Sequence, residues 1–460
     1  MRRAIGLAAA VAALGTFPPT GPAARAQTTP GPGRPNVLLI ITDDQRIESM
    51  GPMRKTRAWF KRGGTEYANA FATTPLCCPS RASIFTGRYA HNHLVRTNAD
   101  AAELAPRSTL AYYLRQDGYQ TAIVGKYLNS WTGQPSHFEQ WHTFENRSGY
   151  KNVPFNSNGV IHRVKRYSTD YLSSRARTLV RGFESQDAKP WFMVVGTWAP
   201  HTPANAEKKY RRTKVGGWAG NPAVFEEDRS DKPSFVQDKE AVFKGGKKLR
   251  TRQLRTLKSV DDLVDRVFGT MSLMGETGDT LAFFVSDNGI AWAEHGMKTK
   301  ATPYFPAVRV PMFARWPGHV PAGVQEAGLV ANVDIAPTVL EAAGVASDPA
   351  VPLDGRSLLS PFQRDRLLLE FQGGNNQPGV PTWAANLTAD AQYVEYYDDA
   401  TGAVSFREYY DLINDPYQLT NLLGDVDPTN DPPPDEQTRL SLRLSRDRQC
   451  LGREGSQACP

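Results

Sequence analysis

The stretch Asn36-Val-Leu-Leu-Ile-Ile-Thr-Asp-Asp44 is an unbroken apolar run that ends in two adjacent carboxylic acids. A run of this kind is typical of a strand buried on both faces of a largely parallel sheet. Similar runs recur at residues 121–125, 191–197, 280–285 and 310–314. Helical patterns lie between them, for example at residues 108–115, 254–268 and 335–343. This alternation predicts an α/β fold in which a large mixed, mostly parallel sheet is sandwiched by helices.

The sequence pattern changes near Arg364. Short strands are predicted at residues 367–371, 391–397 and 404–410, with a hairpin turn at 398–402. We therefore expect a smaller C-terminal domain that carries an antiparallel sheet. The predicted divisions of the chain are a linker at residues 27–35, a main domain at 36–362, the small domain at 363–424 and a loose tail at 425–460.

The first 26 residues are predicted to be an export signal. Arg2 and Arg3 give a cationic start, residues 4–15 are apolar, and Ala24-Arg25-Ala26 fits the A-x-A cleavage pattern. No later segment has about 18 consecutive apolar residues, so no transmembrane anchor is expected. The mature protein is expected to be secreted or to lie in the periplasm or cell envelope.

Composition narrows the class of protein. The 460 residues are 40% hydrophobic and 22% charged, which describes a globular chain with a large core. The net charge of +7 falls by three when the arginines of the signal are removed, and the remaining charges are mixed in sign. No nucleic-acid partner is therefore expected.

The four cysteines are too few to hold a chain of this size together. Cys450 and Cys459 enclose a short polar segment and could pair with each other. Cys77 and Cys78 are neighbours and have no C-x-x-C partner pair elsewhere, so they make a poor zinc site.

Polar side chains follow the apolar runs at the points where the runs end, namely Asp43, Asp44, Lys126, His201, Asp287 and Asn288. Sites in open α/β sheets form at the carboxyl ends of the strands, so we expect these side chains to meet in one cleft. The acids and the asparagine offer only hard oxygen ligands, which suit Ca²⁺ or Mg²⁺.

The segment Cys77-Cys-Pro-Ser-Arg-Ala-Ser-Ile-Phe-Thr-Gly87 has the signals of a short helix. Pro79 suits a first helical position and Gly87 suits a C-cap, so a helix is expected to start near Ser80. Its N-terminal amides and Arg81 would favour an anion beside Cys77. A thiolate phosphatase needs an arginine six residues after its cysteine, and neither Cys77 nor Cys78 has one.

The same eleven residues fit every fixed position of C-x-P-S-R-x-x-x-[L/F]-T-G, and the chain thereby resembles the type I sulfatases. The resemblance extends over residues 35–422, and Cys77 to Asn98 with Gly125-Lys-Tyr-Leu-Asn129 is most similar to the sulfatases of N-acetylglucosamine 6-sulfate and the heparan endosulfatases. It implies an alkaline-phosphatase-like fold. It also implies that a formylglycine-generating enzyme oxidises Cys77 to formylglycine during maturation.

The resemblance assigns roles to the residues at the strand ends. Asp43, Asp44, Cys77, Asp287 and Asn288 would hold a metal, with Ca²⁺ favoured over Mg²⁺. The positive groups that clamp the sulfate would be Arg81, Lys126 and Lys300, with Lys298 as a close competitor of Lys300. His201 would protonate the leaving alcohol, a task that suits imidazole.

The implied reaction is hydrolysis of an O-sulfate monoester, on a sulfated carbohydrate or another small molecule such as an aryl sulfate. One hydroxyl of the hydrated aldehyde attacks sulfur, the alcohol leaves, and a covalent sulfate ester remains on the enzyme. A base then takes the proton of the second hydroxyl, the C–O bond breaks, and sulfate leaves. Two rivals stay open: a phosphate or phosphonate mono- or diesterase of the same superfamily, and an inactive protein that binds sulfated sugars.

Two positions depart from the family pattern. Leu128 stands where many sulfatases have a histidine, so the base of the second step is open, with His91, His93 and His295 as candidates. Ile290-Ala-Trp292 follows the Ser-Asp-Asn-Gly segment in place of the usual aromatic and histidine, which leaves the identity of the sugar open. Aromatic residues that could stack on a sugar, or pack in the core, are Trp131, Trp141, His142 and Trp198.

Overall fold

The computed structural model describes residues 33–185, 189–240, 242–374 and 379–460. The architecture set out below lies within one compact unit, Arg34–Pro460. The predicted export signal at residues 1–26 lies outside the described residues. No described helix combines the length and the apolar character needed to cross a membrane.

Two sheets organise this unit. The large sheet contains β1 (Asn36–Asp43), β2 (Thr65–Phe71), β3 (Gln120–Gly125), β4 (Gln140–Phe144), β5 (Val153–Ser157), β6 (Val160–Val164), β7 (Trp191–Pro200), β8 (Thr280–Ser286), β9 (Met312–Arg315) and β10 (Val324–Ala331). The small sheet contains β11 (Leu367–Phe371), β12 (Thr382–Leu387), β13 (Ala391–Tyr397) and β14 (Val404–Asp411).

The helices are α1 (Arg54–Trp59), α2 (Cys77–Thr86), α3 (Ala90–His93), α4 (Leu110–Gln116), α5 (Ser168–Glu184), α6 (Ser234–Gln237), α7 (Phe243–Met274), α8 (Phe305–Val308), α9 (Ile335–Ala343) and α10 (Pro434–Asp447).

The large sheet has the strand order β10-β2-β9-β8-β1-β7-β3-β4-β5-β6. Its centre, β8-β1-β7-β3-β4, is parallel throughout. The carboxyl ends of these five strands therefore open on one edge of the sheet. β9 pairs antiparallel with both β8 and β2, and β5 and β6 extend the far edge as an antiparallel ribbon. The predicted mixed, mostly parallel sheet is confirmed.

Helices cover both faces of this sheet, as the alternating pattern predicts. Val37, Leu39 and Ile41 of β1 face a core shared with helices α2, α4 and α9. Leu38 and Ile40 face the opposite core, formed with α5 and α7. Because every side chain of β1 is buried, the strand has no polar face, and this explains its unbroken apolar run.

Helix α7 is longer than predicted, with 32 residues starting at Phe243 instead of Leu254. Its first turns contain Gly245 and Gly246, which are poor helix formers, so the sequence pattern gave no sign of a helix there. A side chain at position 246 would lie 1.6 Å from the carbonyl oxygen of Trp292. Close packing on that carbonyl therefore requires the glycine.

The small sheet is antiparallel in the order β11-β12-β13-β14, as predicted. Strand β12 was not anticipated. The small sheet shares a core with residues from the large sheet's side, including Phe71 and Tyr304. Three tyrosine hydroxyls, of Tyr304, Tyr396 and Tyr410, donate hydrogen bonds to the buried carboxylate of Glu408 across this junction.

The prediction of a loose tail beyond Gly424 is wrong for its last part. Residues 434–447 form helix α10, whose Leu440 and Leu444 pack on the small sheet. Cys450 and Cys459 form a disulfide and are both buried, so the pairing considered from the sequence is confirmed. Most charged residues of α10 are at least partly exposed, whereas Asp447 is buried and pairs with Arg366. The apolar stripe of α10 is narrow and gave too weak a pattern to predict the helix.

Candidate active site

The loops after four central strands meet at one point of the carboxyl edge. Asp43 ends β1 and Asp44 follows it, Lys126 follows β3, His201 follows β7, and Asp287 with Asn288 follows β8. The parallel pairing of β1 with β7 and β8 brings these ends side by side. Ligand atoms of Asp43, Asp44, Cys77 and His201 all lie within 4.8 Å of one another. The structure thus brings together the predicted set.

Three buried carboxylates are paired one-to-one with three buried cations. The Nζ of Lys126 lies 2.6 Å from Asp43 Oδ2, and the Nζ of Lys300 lies 2.5 Å from Asp44 Oδ1. The Nε of Arg81 lies 2.8 Å from Asp287 Oδ2. The formal charges of these six groups cancel, which allows so many charges to be buried together.

Two of these pairs fix the protonation of Asp43 and Lys300. Burial opposes ionisation of Asp43, but Lys126, His201, Lys300 and Arg81 surround it and hold the pKa of its carboxyl well below the usual value. Burial likewise disfavours the Lys300 ammonium, yet the negative charge of Asp44 raises the pKa of Lys300 well above the usual value. Asp43 is therefore a carboxylate and Lys300 an ammonium at neutral pH.

Cys77 lies at the first turn of α2, against this charged cluster. Its thiol donates to Asp43 Oδ1 at 3.4 Å, and the Nζ of Lys300 approaches its Sγ to 2.8 Å. Burial, with the negative charge of Asp43 nearby, raises the pKa of Cys77 to about 12. The unmodified side chain is therefore a neutral thiol at physiological pH and a poor nucleophile.

Helix α2 begins at Cys77, three residues earlier than predicted. Gly87 forms its left-handed C-cap, at φ 67°, and donates to the carbonyl of Ser83, as the sequence indicates. The hydroxyl of Ser80 donates a hydrogen bond to the backbone carbonyl of Asp287, the residue that directly follows β8. The helix is thereby attached to the end of β8.

The oxygen-rich side of the cluster fits a hard cation. The amide nitrogen of Asn288 donates to Asp44 Oδ1 at 2.7 Å, while its amide oxygen is buried and finds no hydrogen-bond partner among the described residues. An unpartnered buried oxygen beside three carboxylates is costly unless it serves as a ligand. Asp43, Asp44, Asp287 and Asn288 offer oxygen donors only, which suits Ca²⁺ or Mg²⁺.

His201 lies at the mouth of the site. Its Nδ1 donates to the carbonyl of Thr202 at 2.7 Å, so Nε2 is the ring nitrogen that faces the cluster, 3.5 Å from Asp44 Oδ2. The ring packs against Trp198 in a tilted arrangement, with 3.8 Å between centroids. With 22% of its side chain exposed, His201 can reach both the buried groups and an incoming ligand.

The other histidines considered from the sequence are held elsewhere. His91 pairs with Glu370 at 2.9 Å, and His93 contacts Ser83 Oγ at 3.0 Å. His295 pairs with Glu226 at 2.8 Å. The ring nitrogens of these three histidines therefore contact residues outside the cluster. Leu128 is buried in the core.

Lys298 is exposed and its ammonium lies against Gly245 of α7. Lys300, and not Lys298, thus contacts the cluster. Trp131 and Trp141 are half-buried and pack on the core, and His142 is also half-buried, whereas Trp198 lies at the site.

One residue at the site was not anticipated. Gln253, in the middle of α7, donates to the backbone carbonyls of Asp44 and Pro200 at 3.2 and 3.3 Å. Its own amide oxygen accepts from the indole of Trp292 at 2.5 Å. It fixes the loop after β1 against the loop after β7. A lone glutamine in an amphipathic helix carries no sequence signal for such a role.

Comparison with known proteins identifies relatives that are sulfatases. Human N-acetylglucosamine-6-sulfatase is 31% identical over 461 residues, covering 86% of this chain and 82% of that protein. A putative extracellular sulfatase Sulf-1 homolog of Caenorhabditis elegans is 35% identical over 348 residues. That match covers 70% of this chain but 48% of the relative, so the chain spans about half of the relative's length.

Solved structures share the fold. The structure of BT4656 in complex with its substrate D-glucosamine-2-N,6-O-disulfate superposes with a TM-score of 0.76 at 21% identity, covering 90% of this chain and 97% of that one. The phosphonate monoester hydrolase of Agrobacterium radiobacter gives a TM-score of 0.66 at 21% identity, covering 90% and 96%.

Family models match nearly the whole described unit. The N-sulphoglucosamine sulphohydrolase C-terminal model matches residues 293–431, which include the small sheet. The sulfatase model matches residues 35–345, the segment that supplies every member of the charged cluster. The chain therefore belongs to the sulfatase family.

Proposed function

We propose that this protein is an exported sulfatase that hydrolyses O-sulfate monoesters of sulfated carbohydrates, and aryl sulfates as well, after oxidation of Cys77 to formylglycine. The observation that supports it most is the contact of Cys77 with a buried cluster of three carboxylates and three cations at the carboxyl ends of the central strands.

The state of Cys77 gives a reason for the modification. A buried thiol with a raised pKa is a poor nucleophile, and a serine in its place would leave an ester that water must attack. Formylglycine supplies a geminal diol, of which one hydroxyl can attack sulfur while the other allows the sulfate to be released. Lys300, at 2.8 Å from Sγ, lies where it can stabilise negative charge on an oxygen attached to residue 77.

Asp43, Asp44, Asp287 and Asn288 would hold Ca²⁺ through their oxygen atoms. A bound dication supplies positive charge that polarises the sulfate and orients it for attack. The chain supports this role because its own six charges at the site already cancel, so that any added cation leaves the site positive towards an anionic ester.

The chain's own cations would orient the sulfate. The Nη2 of Arg81 is buried and has no hydrogen-bond partner in the described part of the chain, which leaves one guanidinium donor for a sulfate oxygen. The ammonium of Lys126 pairs with Asp43 and lies over the Trp198 ring. Fixed positive groups on two sides favour the in-line arrangement of nucleophile, sulfur and leaving oxygen.

His201 would give its Nε2 proton to the leaving alcohol. The hydrogen bond from Nδ1 to the Thr202 carbonyl fixes the ring so that only Nε2 faces the ester. Sugar alcohols are poor leaving groups, and protonation in the transition state lowers the barrier to their departure.

The test compares leaving groups and central atoms in the same assay. The purified protein is given 4-nitrophenyl sulfate, 4-nitrophenyl phosphate, a phenylphosphonate monoester and N-acetylglucosamine 6-sulfate. We expect kcat/KM for the aryl sulfate to exceed that for the phosphate and phosphonate, and we expect release of sulfate from the sugar. Preference for the phosphorus esters would contradict the proposal.

Mass spectrometry of the tryptic peptide that contains residue 77 is the second arm. Active preparations should contain the aldehyde form, which differs in mass from the thiol form by the loss of one sulfur and two hydrogens and the gain of one oxygen. Activity of a preparation in which residue 77 is wholly a thiol would contradict the assigned nucleophile. A folded protein that carries the aldehyde, binds sulfated sugars and hydrolyses nothing would support the inactive binding protein instead.

A further inference from the structure

A cavity with a volume of about 650 Å³ opens beside the active site. Trp198 and Tyr150 line it, together with the loop after β4 and the middle of α7. Its basic side chains are Arg147, Lys151, Arg211, Arg252 and Arg255, and none of the described residues that line it is acidic. We call it the basic cleft.

The cations of the basic cleft lack carboxylate partners in the described part of the chain. Among the described residues none of the five forms an ion pair with a carboxylate, and Arg255 is tied only to the carbonyl of Thr213, at 3.1 Å. By contrast, nearby Lys209 pairs with Asp262 at 2.7 Å. Five like charges around one cavity repel one another, and this cost is recovered when an anion occupies the cavity.

The basic cleft is joined rigidly to the site of ester cleavage. Trp198 forms part of its wall and also packs against the ring of His201. The hydroxyl of Tyr150, another wall residue, donates to the backbone carbonyl of His201 at 2.5 Å. Gln253 lies between Arg252 and Arg255 in α7 and holds the backbone of Asp44. A molecule bound at the ester site can therefore continue past Trp198 into the cleft.

We propose that the basic cleft binds a second anionic group of the substrate, a sulfate or carboxylate on the sugar unit next to the ester that is hydrolysed. The cavity is large enough for a sugar unit, and Trp198 and Tyr150 provide aromatic surface beside the cations. The preferred substrate is then a polyanionic oligosaccharide and not an isolated monosulfated sugar. This inference rests on the proposed function and specifies its substrate class.

The kinetic test compares two single variants with a matched control. Arg211→Ala and Arg252→Ala each remove one cation from the cleft. Arg212→Ala removes the same charge from the neighbouring exposed position, which does not line the cavity. We expect each cleft variant to lower the ratio of kcat/KM for a sulfated glucosamine–uronate tetrasaccharide to kcat/KM for 4-nitrophenyl sulfate by about fivefold to tenfold. The ratio for Arg212→Ala should stay within about twofold of the parent.

Direct binding gives a readout that does not depend on turnover. In the Cys77→Ala background, calorimetric titration uses two tetrasaccharides, one with carboxylates beside a single 6-sulfate and one with additional sulfates. Loss of affinity in Arg252→Ala for both shows that the cleft accepts either anion, and loss for one identifies that anion as its ligand. The parent should bind more weakly as NaCl rises from about 0.05 M to about 0.5 M, since screening weakens charge-based binding.

Equal effects of Arg211→Ala, Arg252→Ala and Arg212→Ala would show that net charge alone matters and would overturn the inference. Absence of any effect on either tetrasaccharide would overturn it too. If 4-nitrophenyl sulfate is not hydrolysed by the parent protein, the proposed function itself fails. If it is hydrolysed while the cleft variants leave the ratio unchanged, only the inference about the cleft fails.

Discussion

Cys77 and Cys78 are adjacent in sequence, and both are buried, yet their surroundings differ. The Sγ of Cys77 touches Asp43 and Lys300, whereas the Sγ of Cys78 accepts a hydrogen bond from the backbone amide of Asn129 at 2.9 Å. One thiol therefore lies among charges and the other in a core. The two cysteines form a natural pair of test position and control.

Cys77→Ala is expected to abolish turnover, by at least about a thousandfold in kcat, because it removes the proposed nucleophile. Fold should be kept, since alanine fits the N-terminal turn of α2. Cys78→Ala should retain activity and lose about 1 kcal/mol of stability, as is usual for a small buried truncation. The measurements are hydrolysis of 4-nitrophenyl sulfate and thermal unfolding followed by circular dichroism. Turnover by Cys77→Ala would refute the assignment.

His201→Ala should depend on the leaving group. For a sugar sulfate, whose alcohol needs a proton, we expect kcat to fall by about 10² to 10⁴. For 4-nitrophenyl sulfate, whose phenolate leaves unaided, the loss should be below about tenfold. Equal losses on the two substrates would mean that His201 positions the ester and does not protonate the leaving group.

At this scale the sequence indicated most of the site. The acids, Lys126, His201 and the Cys77 segment were found because each has a local signal, either a strand end or a fixed motif. Gln253 was not found, because its role depends on α7 lying between two loops that are distant in sequence. Lys298 and Lys300 could be distinguished only in three dimensions, since both lie in one short irregular segment.

Helix α2 carries Cys77 and Arg81 into the cluster, and its far end is fixed by Gly87. That glycine has φ 67°, and a side chain there would lie 3.0 Å from Ala336 and Pro337 of α9. The C-cap therefore sets both the end of α2 and its distance from α9. Gly344, the left-handed C-cap of α9, has φ 65° but open space around it.

Gly87→Ala and Gly344→Ala therefore separate backbone strain from crowding. Both variants place alanine in the left-handed region of φ, which should lower the free energy of unfolding by about 1–2 kcal/mol. Gly87→Ala should cost about 1–3 kcal/mol more, because the added methyl group is forced against α9. Urea unfolding of both variants measures the difference. Equal destabilisation would show that α9 moves aside freely, and the packing argument would be wrong.

Elements were predicted well where one strong signal set their limits. The apolar strands β1, β3, β7 and β8 and the C-cap at Gly87 are of this kind. Strand β12 and helix α10 were missed because neither has a strong sequence pattern of its own. Strand β12 is stabilised by its place within the small sheet, and α10 is stabilised by packing on that sheet. Tertiary contacts of this kind override local propensity.

On the scale of the whole molecule, His91 joins three parts of the chain. It lies in α3, beside the Cys77 helix, and pairs with Glu370 of β11 in the small sheet. Its Nε2 donates to the carbonyl of Cys450 at 2.9 Å, next to the disulfide. Burial alone would lower the pKa of His91, but the charge of Glu370 outweighs it and raises the pKa to about 9.

This ion pair predicts a pH dependence of stability. The folded pKa of His91 lies above the unfolded value of 6.5, so its contribution is complete below pH about 6.5 and is lost as pH rises towards 9. His91→Gln should therefore flatten the fall in the free energy of unfolding across this window. His319→Gln, at an exposed histidine, is the control. An unchanged pH profile in His91→Gln would exclude the pair as the cause.

Cys77 is 1% exposed, and the residues that enclose it come from segments as far apart as Asp43 and Lys300. An enzyme that oxidises this side chain needs access to it, and the finished fold offers none. If Cys77 is oxidised as proposed, the oxidation would have to occur before the fold closes over this side chain, and a protein refolded with an intact thiol is expected to stay inactive.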